Sequence, residues 1–201
     1  MNKLKTIALV LLSSSLMFAS CSKDNGAPEP EEPTLTTQTV ADLDGTAGDV
    51  YYSLGTNSVV TGNDINTNKW DLKFSSTSIF VNSGSSGSGT TQAQVVNNTF
   101  AELTTAPADG YKADATGTNA ISGWYTYTAT TEPQHAILPV PGKIIVIKTS
   151  SGNYAKLEML SYYKGNPNTT TADFADLTKR PASRWYTFRF AYQANGSTKL
   201  N

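Results

Sequence analysis

An all-β fold, built as one antiparallel domain, is what this sequence predicts, and three observations carry the prediction. The run Lys143–Thr149 (KIIVIKT) is followed by the turn-formers Ser150-Ser151-Gly152-Asn153 and then by Tyr154–Tyr163, which is the pattern of a β-hairpin. The segment Trp185–Tyr192 places Tyr186, Phe188, Phe190 and Tyr192 on one side at a period of two. Beyond the first twenty residues no stretch carries a long amphipathic helical period.

Residues 1–20 are read as a signal peptide that lies outside the fold. Lys3 and Lys5 precede the apolar run Thr6–Leu12, which is too short to span roughly 30 Å of hydrocarbon. The segment ends in Leu16-Met17-Phe18-Ala19-Ser20-Cys21, which resembles a bacterial lipobox, with Phe18 where Leu is usual. Cys21 is the only cysteine in the chain, so no internal disulfide can form, and lipidation accounts for a lone thiol in an exported protein. Acyl chains on Cys21, at about 0.8 kcal/mol per buried CH₂, are expected to anchor the domain, which would meet the membrane through that lipid only.

Residues 21–35 read as a tether. Gly26–Pro33 (GAPEPEEP) combines proline and acid with almost nothing to bury, and should be solvated and semi-extended. Lys23-Asp24 resembles the surface-export signal of Bacteroidetes lipoproteins, which places the domain on the outer membrane, facing the exterior. Residues 36–201 then form a single β domain, a size that buries a core without disulfides. Losing Lys3 and Lys5 makes the mature chain more acidic than the full sequence, whose formal charge is −1, and nothing in that balance favours nucleic acid.

Within this domain the earlier strand candidates are Val50–Leu54, Trp70–Phe74 and Ser78–Val81. In Tyr154–Tyr163, Ala155, Leu157 and Met159 share one face while Lys156 and Glu158 share the other, as in a half-buried strand. The run Gly84-Ser85-Ser86-Gly87-Ser88-Gly89 has no helix-forming stretch behind it. It is read as a flexible loop and not as a nucleophile elbow or a phosphate cradle.

The chemistry available is sparse. With one histidine, Cys–His catalysis and multi-residue zinc sites lack their parts, and a hydrolytic triad could use only His135. Paired carboxylates stay open on sequence grounds, without a motif to support them. The protein is therefore expected not to be an enzyme. His135 sits in Thr131–Gly142, a proline-rich connection between Trp124–Tyr127 and the strand at Lys143, where loops commonly display ligand groups. A lone histidine is more often a surface or hydrogen-bonded structural residue, yet His135 is the one imidazole able to bind a cofactor or metal. Met159, the sole methionine after the signal, is read as a core filler, and Trp124, Tyr125 and Tyr127 as either core or the wall of an apolar pocket.

Several stretches together resemble the HmuY-like haem-binding lipoprotein family of Bacteroidetes: Trp70-Asp71-Leu72-Lys73-Phe74, Asn82-Ser83-Gly84, Gly123-Trp124-Tyr125, Gly152–Glu158, Tyr162-Tyr163 and Thr187–Phe190. The similarity runs from about Thr36 to Gln193. It implies an all-β, right-hand-like fold whose fingers hold haem or a related tetrapyrrole, taken from host carriers and handed to a TonB-dependent outer-membrane receptor. In the family's best-known member two histidines hold the iron, one before the Gly-Trp motif and one shortly after it. Here the stretch between Tyr111 and Gly123 is short and has no histidine, and His135 follows Trp124 at a greater distance than a strict match requires. Through the resemblance, His135 is the candidate haem and iron ligand. The other reading is an HmuY-fold interaction module or accessory lipoprotein that has lost haem binding or binds another ligand.

Overall fold

The computed structural model describes residues 35–201, so the signal peptide, Cys21 and the tether up to residue 34 lie outside the described residues. Among the described residues, three antiparallel sheets organise the domain. The largest runs β1 (Thr36–Asp44), β11 (Ser183–Gln193), β10 (Tyr154–Tyr163), β9 (Lys143–Lys148) and β6 (Gln92–Asn97) in that spatial order. A second sheet has the order β3 (Ser58–Val60), β2 (Val50–Ser53), β4 (Leu72–Ser75) and β5 (Ser78–Val81). The third is the two-stranded ribbon of β7 (Tyr125–Tyr127) and β8 (Ile137–Pro139). A short helix, α1 (Ala172–Ala175), precedes β11, and Thr171 caps it by accepting the Phe174 N–H.

The predicted hairpin is present as β9–β10, with Ala155 opposite Ile147 and Leu157 opposite Ile145. The period-two aromatic face of β11 packs onto the second sheet: Phe188 stacks on Phe74 at 5.3 Å between ring centroids, and Tyr52 meets Phe188 edge-on at 5.5 Å. Leu72, Phe74, Ile79 and Val81 are fully buried, as are Ile145, Ile147 and Leu157 from the opposing sheet, so the main core lies between the two. Trp70 and Asp71 precede β4 instead of opening it.

The outer face of the large sheet departs from the expected pattern. The chain at residues 98–112 and the C-terminus cover it, and Phe100, Leu103, Ala106 and Leu200 pack onto Ile144, Val146 and Ala191. Lys156 is thus buried where a solvated face was expected. Its ammonium donates to the carbonyls of Phe100 (2.7 Å) and Leu103 (2.9 Å) and lies over the Phe100 ring, so the lysine pins the covering loop. Burial, with Arg189 nearby, pulls the Lys156 pKa down.

The glycine-rich run is held in place, contrary to the flexible loop expected from composition. The backbone N–H of Ser85 donates to Asp114 O and that of Gly89 to Asn82 Oδ1, while Ser83 Oγ donates to Thr91 O. Asn82, fully buried, spends its amide on the carbonyls of Thr67 (2.8 Å) and Trp70 (2.9 Å). A Cβ on Gly87 would overlap Asn82 Oδ1 and come within 2.8 Å of the Trp70 ring, so close approach is what the glycine supplies. Asp114 completes this corner, its carboxylate accepting from Val81 N (2.9 Å) and Ala120 N (2.7 Å). Between Tyr111 and Gly123 the chain makes a tight turn, Ala115 bridging to Thr118, with Gly117 at φ +79°.

Candidate functional site

His135 stands in the loop of the β7–β8 ribbon, so the proline-rich connection is itself half strand: Tyr125 pairs with Pro139 and Tyr127 with Ile137. Thr128 organises the loop. Its hydroxyl donates to Pro133 O at 2.6 Å and accepts from Ala136 N at 2.8 Å, and its N–H donates to Ala136 O. The His135 N–H donates to Ala129 O at 2.8 Å, and both residues have left-handed backbone, φ +55° and +50°. That conformation is uncommon for residues with a Cβ and needs such support. The ribbon is tied to the large sheet where Ile137 N donates to the Tyr163 hydroxyl at 3.0 Å.

His135 is exposed and lines a cavity of about 350 Å³. Ile137, Tyr162, Tyr163, Leu177 and Arg180 line it, together with Pro181 and Ser183. Tyr162 and Tyr163 extend the core aromatics to this wall: Tyr162 contacts Tyr186 at 5.7 Å, and Tyr163 meets Phe174 edge-on at 4.9 Å. Burial pushes the Tyr162 phenol above its ordinary range, with the Arg184 charge among the effects that pull it back. Arg180 is pre-positioned, Nε donating to Phe174 O at 2.8 Å and the guanidinium lying 4.8 Å from the Phe174 ring centroid. Among the described residues it has no carboxylate partner, which leaves donors for an anionic ligand.

The donor set selects what could bind. Among the described residues no three His, Cys, Asp or Glu side chains cluster, so a bare metal ion would lack ligands. A metal that brings an equatorial ring of ligands needs only one axial donor, which His135 can supply. Ile137 and Leu177 give the cavity apolar edges, and the Arg180 guanidinium suits a molecule carrying carboxylates. To haem these residues offer one axial nitrogen and one cation for a propionate. Met159 does not contribute, because it is buried in the main core opposite Phe188. The aromatic trio of the sequence is divided. Trp124 is core, its indole N–H donating to Thr77 O, and with Tyr125 it borders a separate cavity of about 450 Å³. Only Tyr127 stays with His135. That cavity and another of about 500 Å³ beside β3 are larger, but neither presents an imidazole. The sequence reading did not place Leu177, Arg180, Pro181 and Ser183 at the site. Tyr162-Tyr163 was the one signal that could have pointed there.

No carboxylate or serine side chain bonds the His135 ring among the described residues; the ring's side-chain partner is Tyr127. The fold is all-β, and the chain's one imidazole lines a surface cavity. The family profile described as HmuY protein matches residues 46–175, and the chain belongs to the HmuY family. The apo HmuY analogue of Tannerella forsythia shares the fold, with a TM-score of 0.53 at 12% identity, over 81% of this chain and 98% of that one. Apo PinO from Porphyromonas gingivitis aligns with a TM-score of 0.49 at 13% identity, over 81% of this chain and 99% of its own. No curated protein matches the sequence.

Proposed function

We propose that this chain is a non-catalytic surface lipoprotein that binds haem or a related tetrapyrrole through His135 and passes it to a TonB-dependent outer-membrane receptor. The lipid on Cys21 would hold it on the outer membrane with the domain, residues 36–201, facing outward beyond the tether of residues 21–35. One observation carries the binding step: the chain's only imidazole opens onto a cavity walled by Ile137, Tyr162 and Tyr163, with the Arg180 guanidinium, which has no carboxylate partner among the described residues, on its lining. Family membership supports the same reading. Bound haem would supply an iron able to take an axial nitrogen. His135 would donate that nitrogen, Ile137 and Leu177 would meet the ring, and Arg180 would meet a propionate.

Titrating the lipid-free domain with ferric haem tests this. Wild type should give a saturable Soret shift of a five-coordinate type, or six-coordinate with an exogenous ligand, since the chain has one histidine and Met159 is buried. His135→Ala should abolish the shift and keep the β-sheet circular dichroism, because an exposed loop side chain adds little packing. No shift in wild type would favour the other reading, a family member that has lost haem binding and acts as an interaction module.

A further inference from the structure

The two nitrogens of the His135 ring have different surroundings. Tyr127 Oη lies 2.7 Å from Nδ1. His135 lines the cavity whereas Tyr127 does not. Nδ1 is engaged, and Nε2 is the nitrogen left for a ligand.

We propose that Tyr127 is a positioning residue for His135: its hydroxyl holds the Nδ1 edge of the ring, so that Nε2 is the nitrogen presented to a tetrapyrrole-bound iron. The proposal rests on the haem reading above. Neutral imidazole carries one proton, and a ring that coordinates through Nε2 must carry it on Nδ1. The Tyr127 hydroxyl serves both states. It can donate to Nδ1 while Nε2 holds the proton, and it can accept from Nδ1–H once Nε2 coordinates, turning its own hydrogen to the water that reaches this half-exposed side chain (52% accessible). Accepting from Nδ1–H makes the opposite nitrogen a better donor, as the outer partners of metal-bound histidines do. A neutral phenol does this more weakly than a carboxylate. The backbone supports the geometry, since Tyr127 is fixed on β7 opposite Ile137, and His135 N and Thr128 close the loop between them. Eight residues separate Tyr127 and His135 in sequence, and the ribbon brings their side chains to hydrogen-bond distance.

Because the chain has one histidine, ¹⁵N labelling gives a single pair of imidazole nitrogen resonances in the haem-free protein. Wild type, Tyr127→Phe and, as a control on the same strand, Tyr125→Phe are compared by these resonances, by ferric haem titration and by the reduction potential of the haem complex. Tyr127→Phe should displace both nitrogen resonances, weaken haem binding by about 10- to 100-fold and raise the potential, with an unchanged melting point. Tyr125→Phe should leave all of these as in wild type. Unmoved nitrogen resonances in Tyr127→Phe, or displaced resonances with unchanged haem affinity, would overturn the proposal. Failure of the haem reading looks different, since wild type itself would then show no Soret shift, and the positioning role would fall with it.

Discussion

Replacing Asp71 with asparagine should flatten the pH dependence of stability between about pH 4 and about pH 6. Asp71 is buried ahead of β4, and its Oδ2 accepts the Leu54 N–H at 2.8 Å. Burial raises its pKa from 3.8 to about 6, against the opposing pull of the Leu54 and Gly55 amides. The folded state therefore holds this proton more tightly than the unfolded chain. The associated stability is fully present below pH 3.8 and is lost as pH rises through about 6. A shift of roughly two units corresponds to about 3 kcal/mol. The amide that replaces the carboxyl keeps an acceptor for the Leu54 N–H and cannot ionise. Urea unfolding of both proteins from about pH 4.5 to about pH 7 isolates the effect, since the other carboxylates cancel in the difference. Wild type should lose stability relative to Asp71→Asn over that range, by about 2 kcal/mol, the remainder falling below about pH 4.5. Parallel curves for the two proteins would refute the raised pKa and the burial argument behind it.

Gly87→Ala should destabilise the domain by about 1–3 kcal/mol, because the Asn82 amide it would strike is held by two carbonyls and cannot yield; thermal melting checks this. Arg180→Gln should weaken binding of haem but not of haem dimethyl ester, which carries no propionate charge, and a paired Soret titration separates the two. Cys21→Ala should lose all label when cells are fed a fatty-acid analogue, since no second cysteine can accept the acyl group. In intact cells protease should remove the domain if the Lys23-Asp24 signal places it outside, and full protection until lysis would refute that placement.

Local pattern determined the strand content of the two best-defined regions. The alternation in Tyr154–Tyr163 and Trp185–Tyr192 needs only a pleat and one apolar face, and both strands form with those faces on the core. The motifs that carried the family resemblance were legible for a similar reason. Trp70, Asp71, Asn82 and Trp124 flank strands and each bonds a backbone group of another segment, so the fold itself calls for these residues. Tertiary structure alone decided three other things. Lys156 alternates onto what looks like a solvated face, and only the return of residues 98–112 buries it. Serine and glycine at Gly84–Gly89 suggest mobility, but their hydrogen bonds go to Asp114 and Asn82, partners that composition does not reveal. The surroundings of His135 come from Tyr127 across the ribbon, from Tyr162 and Tyr163 on β10, and from Arg180 after α1. A histidine's chemistry depends on the groups around its ring, and chain folding brings these from three separate segments.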